Sequence, residues 1–176
     1  MIKGHLILSD FVKNGMRNAV RSLALAAVLV GGGALQAGTM NTAQAGVFSA
    51  GVYSIAKRYV GLHERKHTQK LAKTVGVNPR RTPWCGAFVG AVVKKAGKSV
   101  PAGHLRAASW KRVGKAVSLK KTKKGDIVVM RTKYGNHVGF YAGQKNGRVQ
   151  LLGGNQSNRV QISNYRVGSV QAVRRH

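Results

Sequence analysis

Apolar positions along the chain first recur at helical spacing and later gather into short β-forming runs. Val47, Phe48, Val52, Ile55, Ala56, Tyr59 and Val60 form a stripe that predicts a helix over 47–60, closed by Gly61. A second short helix is expected over 68–75, before Gly76 and Pro79. Cys85 to Ala96 is apolar on most faces and free of proline. It predicts a buried helix that starts after Thr82-Pro83 and stops at Gly97. Residues 105–113 read as another short helix. After Gly125 the pattern changes. Ile127 to Met130, His137 to Ala142, Val149 to Leu152, Val160 to Ile162 and Val170 to Val173 are rich in β-formers, with Gly, Asn and Ser between them. Helices followed by an antiparallel meander predict an α+β fold, with N-terminal helices packed on a C-terminal antiparallel β-sheet. The run Lys120-Lys-Thr-Lys-Lys124 is expected as a solvated loop between the halves.

The first 45 residues follow different rules. Lys3, Lys13, Arg17 and Arg21 precede an apolar run, Leu23 to Val30, then Gly31 to Gly33 and Ala34-Leu35. Ala43-Gln44-Ala45 supplies small residues at both positions of an A-x-A cleavage site. This order predicts a signal peptide over 1–45, with an uncleaved membrane anchor as the alternative. The run is shorter than the roughly 20 residues that span a bilayer. The expected domain is therefore 46–176, exported to the periplasm or secreted; the anchor alternative would leave it membrane-bound or packaged in a phage virion.

Charge narrows the partners. The 176 residues hold 31 Lys and Arg against three acids, Asp10, Glu64 and Asp126, for a net +28. Removing 1–45 leaves +25, so the charge belongs to the domain. Such a surface attracts polyanions, with anionic envelope polymers and nucleic acid as the expected partners. Three acids leave little room for carboxylate-pair glycosidase or two-metal phosphoryl chemistry. A single cysteine excludes an internal disulfide and any zinc site built on two cysteines. Apolar residues make up 43% of the chain, enough for a packed core.

That cysteine stands where the buried helix is expected to begin. Free N–H groups and the positive end of the helix dipole favour a thiolate there, the form that attacks an acyl carbon. A cysteine nucleophile needs a base. His137 is the histidine set inside a strong strand pattern, His137-Val-Gly-Phe-Tyr141. The base needs a polar neighbour to orient it, and the next strand ends in Gly153-Gly-Asn155-Gln156. Register decides between the two amides. A two-residue Asn146-Gly147 turn places Gln156 opposite His137. A three-residue loop, or a bulge at Gly153-Gly154, places Asn155 there, and Asn155 is preferred because its short amide has a fixed rotamer.

Thr82-Pro-Trp-Cys85-Gly-Ala-Phe-Val89, Lys124-Gly-Asp-Ile-Val-Val129, Asn136-His-Val-Gly-Phe-Tyr141 and Gly153-Gly-Asn-Gln-Ser157 occur in this order. Together with Tyr59-Val-Gly61-Leu-His-Glu64 they resemble the papain-like cysteine peptidases and amidases of the CHAP and NlpC type, which cut peptidoglycan peptides. The resemblance covers about 50–174. It implies a papain-like fold, peptidoglycan as substrate, no cofactor, Cys85 as nucleophile, His137 as base and Asn155 as the orienting residue. Trp84 and Trp110 are expected either to line the cleft as substrate-binding residues or to fill the core. A virion-associated lysin and a basic structural or nucleic-acid-binding protein are the alternatives.

One rival motif remains. His63-Glu64-Arg65-Lys66-His67 matches H-E-x-x-H, the signature of zinc metallopeptidases, which needs both histidines on one helix face. Arg65 and Lys66 beside a dication, and no carboxylate until Asp126, count against it.

Overall fold

The computed structural model describes residues 51–176, so the leader expected over 1–45 and residues 46–50 lie outside it. Residues 51–57 form the described part of helix α1, which gives way to turns at 58. Helix α2 spans Thr68–Val75 and closes on Gly76, whose N–H returns to the Ala72 carbonyl at 2.8 Å. Helix α3, Cys85–Lys95, buries eight of its eleven residues, as an all-round apolar pattern requires. The short helix expected at 105–113 is a 3-10 helix, Ala107–Arg112. The Lys120 run contributes a second 3-10 turn, Leu119–Lys121.

Six strands follow in one antiparallel sheet. They are β1 Lys115–Ala116, β2 Ile127–Thr132, β3 Gly135–Lys145, β4 Arg148–Gln156, β5 Arg159–Arg166 and β6 Val170–Arg175. Their order across the sheet is β1-β6-β2-β3-β4-β5. Strands β2 to β5 are the expected meander. The last strand departs from it, returning to pair with the free side of β2. The α+β expectation holds.

Two-residue turns join β3 to β4 and β4 to β5. Asn146 and Gly147 have φ of 49° and 66°, and Ser157 and Asn158 have 51° and 62°. Positive φ at both central residues matches the twist of the flanking strands. The β3–β4 ladder starts with Lys145 opposite Arg148, then slips between Tyr141 and Gly143, so that Tyr141 faces Leu151 and Phe140 faces Leu152. Ala142 is the extra residue, a bulge that moves the register by one.

Side chains alternate between two apolar clusters. Val138, Phe140 and Leu152 join the helices in the larger one, and Met130, Val149 and Leu151 form the second. Phe88 of α3 anchors the larger cluster. Its ring lies edge-on to Tyr59 at 6.0 Å, Trp84 at 6.5 Å and Phe140 at 6.5 Å.

Asp126 ties the start of β2 to the end of β6. Its carboxylate, 1% exposed, accepts from Arg175 Nε at 2.9 Å, Arg175 Nη2 at 2.7 Å and the Lys123 N–H at 2.8 Å. Arg175 raises no comparable desolvation cost when left alone, since 22% of its side chain meets water. Asp126→Asn is therefore expected to lower unfolding free energy by about 2 kcal/mol, below the usual cost of breaking a fully buried pair. Urea unfolding of wild type and variant checks this.

Candidate functional site

Cys85 is the first residue of α3, preceded by Trp84 at the N-cap, which makes no side-chain cap bond. The thiol is 7% exposed. Burial pushes its pKa up, while the N–H groups of Val138, Gly86 and Cys85 itself pull it down, and burial prevails. His137 lies in β3 opposite Met130 of β2 and is 8% exposed. Burial pulls its imidazole down to about 4, against the Gln156 amide, which acts in the other direction. Both shifts favour the neutral forms, a thiol and an uncharged imidazole.

Cys85, His137, Asn155, Gln156 and Tyr165 line one cleft of about 850 Å³, with Arg131, Lys133, Arg148 and Arg166 also along its walls. A smaller hollow of about 290 Å³ at Asn78, Arg80 and Arg81 gathers neither a nucleophile nor a base.

Both candidate amides line the cleft, and Gln156 is the one that stands beside His137. The Ala142 bulge sets the register expected to place Asn155 opposite the ring. A second irregularity, between Gly153 and Gln156 in the β4–β5 ladder, then turns the chain again. Asn155 sits inside it at φ 56°, a left-handed conformation that breaks the alternation of side chains. Asn155 is left half-buried, and Gln156 is 4% exposed. The Gln156 Nε2 donates to the carbonyls of Leu151 and Gly153, both at 3.2 Å, and of Gln161. Three acceptors around the nitrogen fix which end of the amide is which. Its Oε1 accepts from the Tyr165 hydroxyl at 2.7 Å. His137 Nε2 is buried beside this amide, short of a hydrogen bond of ordinary geometry.

Two glycines make room for this pair. A Cβ on Gly153 would lie 3.3 Å from both His137 Nε2 and Gln156 Cδ. A Cβ on Gly154, on the opposite face, would lie 2.7 Å from Phe88 Cβ and from Trp84 Cε3. The Gly153-Gly154 pair thus lets β4 press on α3 while its other face holds the histidine.

Trp84 and Trp110 do not line the cleft. Both are fully buried, and their indole N–H groups bond internally, Trp84 to Glu64 Oε2 at 3.2 Å and Trp110 to the His104 carbonyl at 2.8 Å. They are core residues, since a buried indole needs an acceptor and each has one.

The H-E-x-x-H segment is not helical. His67 is the N-cap of α2, and His63 forms an isolated bridge with Arg159. His67 Nδ1 accepts the His63 N–H at 3.0 Å, His63 Nδ1 accepts the Arg65 N–H at 3.1 Å, and Glu64 serves Trp84. Among the described residues no three His, Cys, Asp or Glu side chains are grouped to hold a metal ion. No described helix is long and apolar enough to cross a membrane.

A family model described as NlpC/P60 family matches residues 56–174. No curated protein sequence matches the chain. Among solved structures, the P60 domain of antigen MAP1272c from M. avium paratuberculosis aligns with TM-score 0.52 at 15% identity, over 76% of this chain and 96% of that one. Rv1477, a hypothetical invasion protein of Mycobacterium tuberculosis, gives TM-score 0.52 at 15% identity, over 81% and 68%. A variant of the resuscitation promoting factor interacting protein RipA gives TM-score 0.52 at 14% identity, over 82% and 68%. At these identities the likeness is one of fold.

Proposed function

We propose, because the chain belongs to the NlpC/P60 family, that it hydrolyses an amide bond of the peptidoglycan peptide, with Cys85 as nucleophile, His137 as base and Gln156 as the orienting residue. Family membership makes it a papain-like cysteine hydrolase in class. One observation carries the finer reading. The thiol at the start of α3 and the imidazole of β3 line the same cleft, with the acceptor end of a fixed amide behind the ring.

The amide sets the tautomer. Gln156 offers Oε1 rather than Nε2, so His137 carries its proton on Nε2 and keeps the Nδ1 lone pair for the thiol. Cys85 Sγ attacks the carbonyl carbon as its proton passes to Nδ1. The C–S bond forms, and the oxyanion faces the Cys85 backbone N–H at the start of α3. The imidazolium then gives its proton to the leaving amine. Water, deprotonated by His137, hydrolyses the thioester.

Digestion of purified sacculi by the full chain, with products read by mass, tests this reading. The expected products differ from intact wall fragments by one water across a peptide or sugar–peptide amide. Soluble products with every amide intact would sink it. In this reading the leader exports the chain, and its basic surface adsorbs it to anionic wall polymers. Rising NaCl should then slow digestion of whole sacculi more than that of a small soluble fragment, and equal slowing would remove the adsorption role.

The pH profile has a definite sign. Below the folded pKa the ring holds a second proton and cannot accept the thiol proton. With that pKa lowered to about 4, kcat/KM rises through about pH 4 and is flat by pH 6. A base of ordinary pKa, about 6.5, would instead lose about three-quarters of its activity at that pH. Initial rates on a soluble fragment between pH 3.5 and 8 separate the two.

A further inference from the structure

We propose that Tyr165 is the positioning residue of this site, covering the His137 ring and locking the Gln156 amide behind it. The inference rests on the reading of Cys85 and His137 as nucleophile and base. Tyr165 lies on β5 opposite Val149, and its side chain packs against the second apolar cluster. From there one side chain makes two different contacts. Its ring stacks on the imidazole, with centroids 5.6 Å apart and planes 23° from parallel. Its hydroxyl donates to Gln156 Oε1 at 2.7 Å.

The two contacts perform different tasks. The stacked ring closes one face of the imidazole to water, which keeps the base neutral and blocks rotation of the ring. The hydroxyl holds the amide oxygen on the histidine side, in concert with the carbonyls that hold the nitrogen on the other. Burial, then the nearby Cys85, raises the Tyr165 pKa, so the hydroxyl remains a donor across the working range. A residue present only for packing would need neither contact.

Tyr165→Phe keeps the cover and removes the lock. Tyr165→Ala removes both. NMR titration of the His137 ring reports the base directly. The cleft cations Arg131, Lys133, Arg148 and Arg166 are common to all variants and cancel in the comparison.

In Tyr165→Ala the His137 pKa is expected to rise by one unit or more, on the order of the desolvation it relieves. In Tyr165→Phe the pKa should stay within about half a unit of wild type, while kcat on a soluble fragment falls about tenfold with KM little changed. An unshifted His137 pKa in a folded Tyr165→Ala protein would overturn the positioning role. If the alanine variant does not fold, Tyr165→Phe decides alone, and an unchanged kcat overturns it. Failure of the catalytic reading looks different, because wild type would then fail to digest sacculi while His137 still responded to Tyr165→Ala.

Discussion

Cys85→Ala should abolish sacculus digestion, lowering kcat by about 10⁴-fold or more, the scale on which loss of a nucleophile is felt. Cys85 opens α3 behind an N-cap with no side-chain bond, and backbone N–H groups of Val138, Gly86 and Cys85 point to its sulfur. Alanine is a better helix former and leaves that backbone in place. The fold should survive, with a loss of about 1 kcal/mol from the missing buried sulfur. Circular dichroism and thermal unfolding check this in the same sample. Cys85→Ser should be almost as inactive, since a hydroxyl beside a neutral imidazole of low basicity is a poor nucleophile. EDTA should leave wild-type activity intact. An active Cys85→Ala protein inhibited by EDTA would dismiss the thiol mechanism and return attention to His63 and His67.

Much of the fold was legible because its signals are local. The apolar run from Cys85 has no polar face to expose, so it can only be a buried helix, and α3 spans Cys85–Lys95. Asn146-Gly147 is a turn that few other dipeptides make as readily, and it joins β3 to β4. Strand ends were less legible. Strand β5 runs to Arg166, beyond the apolar Val160-Gln-Ile162, because its outer residues are polar and its pairing with β4 is what holds them. The two-residue β1 and the return of β6 to β2 depend on long-range pairing and leave no periodic trace.

The site divides in the same way. Cys85 and His137 were legible as a thiol at a helix start and a ring in a strand. Their partner was narrowed to Asn155 or Gln156 and no further, because two bulges act in sequence. The one at Ala142 slips the register by one, and the one at Asn155 turns the side chains again. The first has no composition signal, and the second is marked only by the Gly153-Gly154 pair before it. Asn155 adopts φ 56° without being glycine, at a cost only its surroundings sustain. Tyr165 lay beyond the run that marked its strand, so nothing in the sequence drew it to His137. The tryptophans misled for a related reason. An indole near a nucleophile reads equally as cleft wall or core, and the internal acceptors at Glu64 and His104 decide for the core.

The choice of Gln156 over Asn155 has a measurable consequence. Gln156→Ala should lower kcat by about 10²–10³-fold, the usual contribution of a properly held general base. Without Oε1, nothing selects the tautomer with its proton on Nε2, and the ring is free to present a hydrogen to the thiol in place of a lone pair. The variant also removes the buried amide's donations to the carbonyls of Leu151, Gly153 and Gln161, so about 2 kcal/mol of stability should go with it. Rates are therefore compared per folded molecule, with the folded fraction of each variant taken from its urea unfolding curve. Asn155→Gly provides the contrast. Glycine accepts φ 56° without strain and removes only an amide that is half-buried at the edge of the cleft. Its loss in kcat should stay below about tenfold, since no proton in the reaction depends on it. A larger loss in Asn155→Gly than in Gln156→Ala would mean that the shorter amide orients His137 during turnover.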